Sequence, residues 1–189
     1  MYIDMIPPTP PKAISDEPLF HLRFQEYIAP RVRRGLRETF GQDQNQQLAH
    51  LTPVTIDGGT SAIIRDLFKP DLAIRRTQDM LGAGANRAPG DLKVSWKWKS
   101  TWRFAVDARN SAEYKQVLAQ VNFYMNQHGA RYGFIISDTE MVPVQRLEQK
   151  GHMAVATAIP WGAHGQGVLT VRLALWYIAM LGASDDWSL

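Results

Sequence analysis

Apolar residues recur at roughly helical spacing near the start of the chain, which predicts a long N-terminal helix. Its apolar positions are Leu19, Leu22, Phe24, Tyr27, Ile28, Val32, Leu36 and Phe40. Ser15 or Asp16 can cap its start, Pro30 predicts a kink or break within it, and Gly41 predicts its end. Residues 1–15 are rich in proline, so this lead is predicted to be extended and flexible.

A two-residue alternation of polar and apolar side chains predicts the strands that follow. In residues 89–98 it gives a polar face, Asp91, Lys93, Ser95 and Lys97, and an apolar face, Leu92, Val94, Trp96 and Trp98. In residues 69–75, Asp71 faces away from Leu72 and Ile74. Residues 53–56 predict a short strand before a turn, and the apolar run at 131–137 predicts a central strand buried on both faces.

A second helix is predicted over residues 111–127. Its apolar stripe is Tyr114, Val117, Leu118, Val121 and Met125, and Gln116, Gln120 and Tyr124 form a separate line at four-residue spacing. Residues 142–147 predict a hairpin strand, placed at a sheet edge because of Pro143, and residues 153–159 predict one more. A buried C-terminal helix starts at about Gly167. This order predicts an α/β fold, a central mixed β-sheet flanked by helices, in a single domain over residues 16–189.

Composition narrows the chemistry that this domain can carry. The chain has no Cys, which excludes disulfides, thiolate zinc sites and a Cys nucleophile, so a metal must use oxygen or imidazole ligands. The five His show neither metal-ligand spacing nor a base–nucleophile pairing with a Ser, so packing or surface roles are expected. The net charge of +3 is compatible with a polyanionic partner. There is no secretory signal pattern, and the most apolar segment, residues 168–182, is too short for a bilayer, so an intracellular location, nucleus or cytoplasm, is expected.

Asp91 and Lys93 lie two residues apart on the predicted polar face, a pattern that suits a metal-dependent phosphodiesterase. A carboxylate can hold the cation while an ammonium steadies a developing anion. An exposed ion-pairing face is the plain alternative for the same pattern.

The order of these elements and three motifs resemble the PD-(D/E)xK, restriction-endonuclease-like nuclease superfamily over roughly residues 16–147. The matching residues are Pro70 and Asp71, then Asp91, Leu92 and Lys93, and finally Gln120 and Tyr124, a Gln-x-x-x-Tyr spacing seen in the RecB-like exonuclease branch. Residues 96–98 and 131–134 are also similar to uncharacterised fungal proteins, which implies no activity.

The resemblance implies a restriction-endonuclease-like core of the order αβββαβ and hydrolysis of nucleic acid, with DNA favoured over RNA. It implies that Asp71, Asp91 and the Leu92 carbonyl bind Mg²⁺ or Mn²⁺, and that Lys93 is catalytic. Gln120 and Tyr124 would support Lys93 or a phosphate oxygen. The family often adds an acid from the first helix, for which Glu26 and Glu38 are open candidates.

Basic residues beyond Lys93 are candidates for tracking a nucleic-acid backbone, namely Lys97, Lys99 and Arg103. Lysines at exposed strand ends also serve simply to block edge pairing. A nuclease-fold module without catalysis, which binds nucleic acid or protein, is the second functional hypothesis. The sequence leaves open whether cleavage is from an end or internal, and whether the C-terminal helix forms a homodimer.

Overall fold

The computed structural model of the protein describes residues 13–41, 48–149 and 151–189. The predicted proline-rich lead lies outside these residues except for 13–15. The helices are α1 (Glu17–Arg23), α2 (Ala29–Phe40), α3 (Ala108–His128) and α4 (Val171–Ala183). The strands are β1 (Val54–Gly58), β2 (Leu72–Arg76), β3 (Gly90–Lys93), β4 (Tyr132–Ser137), β5 (Glu140–Arg146), β6 (Met153–Val155) and β7 (Ile159–Pro160).

The N-terminal helical region starts and ends where the sequence predicts. Asp16 caps α1, because its carboxylate accepts a hydrogen bond from Leu19 N at 2.8 Å. Gly41 follows the last residue of α2. Pro30 stands in the first turn of α2, directly after a π-helical segment, Phe24–Ile28. Proline has no N–H to donate to the preceding turn, so the regular α-helical hydrogen bonding is interrupted there. The predicted break is therefore a π-helical segment, whose turns are wider than those of an α-helix, and not an end of the helix.

The strands form one mixed sheet in the order β1-β2-β3-β4-β5-β6, and β7 also pairs with β5. Strands β3 and β4 run parallel, and the other neighbours run antiparallel. One face of the sheet is covered by α1, α2 and α4 and the other by α3. The predicted α/β class, a mixed sheet flanked by helices, is therefore confirmed.

Strand β4 shows why both faces need covering. Phe134 and Ile136 point into the core beneath α1, α2 and α4, whereas Ile135 points into the core beneath α3, and all are fully buried. The continuous apolar run predicted a strand buried on both faces, and the structure agrees. The stripe predicted for α3 is also found, since Val117, Val121 and Met125 pack against that second core.

The strand predicted over residues 89–98 ends early, at Lys93. The chain turns there because the Asp138 carboxylate accepts hydrogen bonds from Ser95 N at 2.5 Å and Ser95 Oγ at 2.9 Å. The predicted alternation of faces therefore fails beyond Val94. Trp98 is fully buried in the α3 core, on the opposite face from Leu92, while Trp96 is half exposed.

Three smaller predictions were wrong near the C-terminus. Pro143 does not mark an edge, because β5 lies between β4 on one side and β6 and β7 on the other. Its carbonyl accepts a hydrogen bond from Ala156 N at 3.0 Å, so only its missing donor weakens the pairing. The strand predicted over residues 153–159 is split into β6 and β7, and α4 begins at Val171, capped by Thr170, rather than near Gly167. Within the described residues, no helix is long and apolar enough to cross a membrane.

Candidate active site

Asp71 and Asp91 meet where β2 and β3 come together. The antiparallel register joins Leu72 to Gly90, so Asp71, just before the first strand, lies opposite Asp91 in the second. The Asp71 carboxylate accepts a hydrogen bond from Leu92 N at 2.8 Å. The expected convergence of the two acids follows from this register, although Asp71 precedes β2 rather than lying inside the predicted strand.

The buried side chain of Asn86 holds this junction together beyond the single backbone pairing. Its amide oxygen accepts from Ile74 N at 3.1 Å, and its amide nitrogen donates to Leu72 O at 3.1 Å. Asn86 is fully buried, so these bonds satisfy groups that water cannot reach. They keep the start of β2, and therefore Asp71, in a fixed place beside β3.

Asp91 and Lys93 form a close, buried ion pair. Leu92 packs into the core under α1, α2 and α4, and neighbouring strand residues alternate, so Asp91 and Lys93 point to the α3 face. Lys93 Nζ lies 2.5 Å from Asp91 Oδ2, and the side chains are 14% and 2% exposed. An exposed ion-pairing face, the alternative drawn from the sequence, does not describe this pair, because both groups are withdrawn from solvent.

The ionisation of the pair is set by burial and by its neighbours. Burial raises the pKa of Asp91 to about 7, against the lowering effect of the Lys93 ammonium, and the Asp71 carboxylate adds to the increase. Burial alone would lower the pKa of Lys93, but the Asp91 carboxylate, with smaller contributions from Asp71 and Glu17, raises the pKa overall. The site therefore keeps a cationic lysine beside a carboxylate that holds its proton more tightly than usual.

Gln120 and Tyr124 form a hydrogen-bonded pair on α3, and Tyr124 lies within electrostatic range of the acids. Gln120 Nε2 donates a hydrogen bond of 2.8 Å to the Tyr124 hydroxyl across one turn of α3. Burial raises the pKa of Tyr124, the Gln120 bond opposes this, and the charges of Asp91, Asp71 and Lys93 also act on it. The strand charges therefore reach the Tyr124 hydroxyl, and a site role for these two α3 residues stays a prediction.

Two residues of α1 complete the surroundings, and the sequence reasoning missed both. His21 Nε2 lies 3.7 Å from Asp71 Oδ2, and the Glu17 carboxylate is among the charges that raise the pKa of Lys93. Glu17 and His21 are four residues apart, on one face of the helix, and that spacing is the signal that was available. The acids considered from the sequence pair with nearby arginines, Glu26 with Arg23 at 3.8 Å and Glu38 with Arg34 at 3.8 Å.

The predicted backbone-tracking residues leave the strand and take separate positions. Lys97 Nζ pairs with Glu17 Oε2 at 3.0 Å, which places this cation at the rim of the site. Lys99 is exposed, and the Arg103 guanidinium lies 5.5 Å from the centre of the Phe104 ring. Only Lys97 is tied to the site residues by a contact.

The donor set can be compared with what Mg²⁺ or Mn²⁺ prefers. Asp71, Asp91 and the Leu92 carbonyl supply hard oxygen donors. No cluster of three or more His, Cys, Asp or Glu side chains suited to a metal occurs among the described residues. Asp91 Oδ2, apart from its ion pair, and His21 Nε2 are nevertheless buried without a hydrogen-bond partner. Such atoms are rare in proteins, and each could coordinate a cation, so together with the oxygen donors the residues fit the metal.

Comparisons of this chain with protein-family models, with curated proteins and with solved structures found no match. The resemblance to PD-(D/E)xK nucleases therefore stays a hypothesis that depends on the motifs themselves.

Proposed function

We propose that this protein is a metal-dependent nuclease that hydrolyses phosphodiester bonds in nucleic acid, with DNA favoured over RNA. The observation that carries the proposal is the meeting of Asp71 with the buried Asp91–Lys93 pair at the junction of β2 and β3. Perturbed pKa values of grouped acids and bases are common at functional sites, and Asp91 is such a group.

The acids would hold the cation and the lysine would act on the substrate. Asp71, Asp91 and the Leu92 carbonyl are the proposed ligands of Mg²⁺ or Mn²⁺, with His21 beside Asp71 as a further donor. Such an ion, when bound, neutralises phosphate charge and acidifies water. Lys93 would orient the attacking water or stabilise the charge that develops on the phosphate oxygens.

The residues around this centre have supporting roles. The Gln120–Tyr124 bond orients the Tyr124 hydroxyl, which would donate to a phosphate oxygen of the bound substrate. Glu17 holds Lys97 at the rim, where the ammonium can meet the nucleic-acid backbone.

A binding module without catalysis is the second candidate, and a specific observation favours it. Lys93 already neutralises Asp91 at 2.5 Å, so the carboxylate has a partner without any metal. In such a module the pair would be structural, and adding metal would change neither stability nor binding.

A single substitution separates these two functions. Asp91→Asn removes a proposed metal ligand and keeps the side-chain shape, whereas Glu148→Gln makes the same chemical change at an exposed site. We expect Asp91→Asn to lose Mn²⁺ binding, measured by calorimetric titration, and cleavage of a labelled duplex. Glu148→Gln should keep both Mn²⁺ binding and cleavage. Absence of Mn²⁺ binding and cleavage in the unmodified protein would favour the binding module.

A further inference from the structure

A strained turn at residues 65–68 precedes Asp71 in the chain. The turn is closed by Phe68 N donating to Arg65 O at 3.2 Å, and both middle residues have positive φ, 53° at Asp66 and 61° at Leu67. Each non-glycine residue in that region costs roughly 1–2 kcal/mol. Strain of this kind persists only where the surroundings enforce it, and it concentrates at functional sites.

Helix α3 holds the turn in place. Gln127 Nε2 donates a hydrogen bond of 2.8 Å to Arg65 O. The ring of Phe68 meets the ring of Phe123 edge to face, with centres 5.4 Å apart and planes at 80°. Both rings nevertheless stay open to solvent, with Phe68 57% and Phe123 42% exposed, so the turn displays aromatic surface rather than burying it.

A cavity of about 480 Å³ adjoins these rings and is lined by Phe68, Gln116, Gln120, Phe123 and Tyr124. Tyr124 lines this cavity, and the charges of Asp91, Asp71 and Lys93 act on its hydroxyl. A group bound against the aromatic rings therefore shares Tyr124 with the proposed cleavage site.

The chemistry of the cavity suits a nucleobase. Aromatic rings offer flat stacking faces to any base, and the Gln116 and Gln120 amides can hydrogen-bond to its edge. Exposed Arg65 and Lys69 flank the turn and outnumber its one acid, Asp66, so the charge favours an anionic backbone.

We propose that Phe68 and Phe123 form a base-binding platform that holds an unpaired nucleotide next to the cleaved phosphate. This inference rests on the proposed nuclease function and makes it more specific. A base inside a duplex is stacked and paired, so the platform selects substrates with a single-stranded segment or a frayed end.

The test measures binding without metal, so that cleavage plays no part. Fluorescence anisotropy in EDTA would compare a short single strand containing 2-aminopurine with the corresponding blunt duplex. Stacking on an aromatic residue is worth about 1–3 kcal/mol per base, so Phe68→Leu and Phe123→Leu should each weaken single-strand binding by about 5-fold to 150-fold. They should also reduce the quenching of 2-aminopurine and leave duplex binding unchanged.

Phe104→Leu is the matched control, because Phe104 is 80% exposed and lies on a different segment. It should bind both oligonucleotides like the unmodified protein. Melting temperatures close to the unmodified value in all the variants would show that the exposed rings were removed without unfolding.

Several results would overturn the platform. Unchanged single-strand binding in both variants, or absence of nucleic-acid binding in the unmodified protein at low salt, would each do so. If the rings instead join two copies of this chain, sedimentation would show a dimer that Phe123→Leu converts to a monomer without altering oligonucleotide affinity. The platform alone fails if metal-dependent duplex cleavage persists with no single-strand binding, whereas the nuclease function alone fails if the platform binds but no substrate is cleaved.

Discussion

The backbone of Asp71 is fixed by close contact with Gly59, which gives a sharp test of how the site is built. Gly59 N donates to Asp71 O at 2.9 Å. A Cβ atom at Gly59 would lie only 1.7 Å from Pro70 O and 2.7 Å from Pro70 C. These are backbone atoms that cannot rotate away, so Gly59→Ala must push the Pro70–Asp71 segment from its place.

The magnitude follows from that overlap. Ordinary contacts are near 3.5 Å, so the segment must move by roughly 1.5–2 Å. Forced overpacking costs about 1–3 kcal/mol, and the lost hydrogen bond costs about another 1 kcal/mol. Gly59→Ala should therefore lower the free energy of unfolding by about 2–4 kcal/mol and weaken Mn²⁺ binding, because Asp71 is displaced.

The neighbouring residue provides the control. Gly58 has φ −60° and ψ 150°, and no atom lies within 4 Å of a Cβ added there. Gly58→Ala should be neutral or stabilising by up to about 1 kcal/mol. Urea unfolding of both variants would measure the difference. Equal stability of Gly58→Ala and Gly59→Ala would refute the reasoning that this contact places Asp71.

The remaining predictions concern α3. Burial lowers the pKa of His128 to about 4 from 6.5, so the unfolded chain takes up a proton that the folded one refuses, and stability falls as pH drops from 6.5 towards 4. The loss should be about 1–2 kcal/mol after allowance for solvent screening. His128→Asn should remove most of this pH dependence of the free energy of unfolding, because Asn does not titrate, while its side chain can still accept from Asn86 N. Urea unfolding across that pH range would measure the effect, and an identical fall in stability in both proteins would contradict the assignment. Gln120→Ala should slow cleavage with little change in melting temperature, whereas the exposed control Asn126→Ala should cleave at the unmodified rate. Equal cleavage rates in the two variants would show that Gln120 does not support the site.

Local patterns predicted the parts of the fold that local sequence controls. The apolar stripe of α3 has helical spacing because one side of that helix is buried. The continuous apolar run of β4 reflects a strand that is buried on both faces. The convergence of Asp71 and Asp91 needed only that two short strands be antiparallel neighbours.

The errors arose where distant residues decide the structure. The strand at residues 89–98 stops because Asp138, 43 residues further on, binds Ser95. The missing N–H donor of Pro143 predicts a sheet edge, but β6 and β7 return from later in the chain to pair with β5. His21 comes close to Asp71 only because α1 packs beside β3, which a spacing of 50 residues along the chain does not reveal.

Lys93 offers the most direct test of the proposed nuclease. Lys93→Met removes the ammonium beside Asp91 and keeps an apolar stem, and Lys115→Met makes the same change at an exposed position of α3. Lys93 is not a proposed metal ligand, so Mn²⁺ titration should still show binding in both variants. One charge among several contributes little to nucleic-acid affinity, which should fall only modestly.

Single-turnover cleavage of a labelled duplex with a frayed end is the decisive measurement. Loss of a group that orients water or stabilises the transition state should slow the Lys93→Met variant by roughly a hundredfold or more, with binding almost intact. Lys115→Met should cleave at the unmodified rate. Cleavage by Lys93→Met at the rate of Lys115→Met would contradict the account, because the buried Asp91–Lys93 pair would then be a structural ion pair and not the centre of a nuclease.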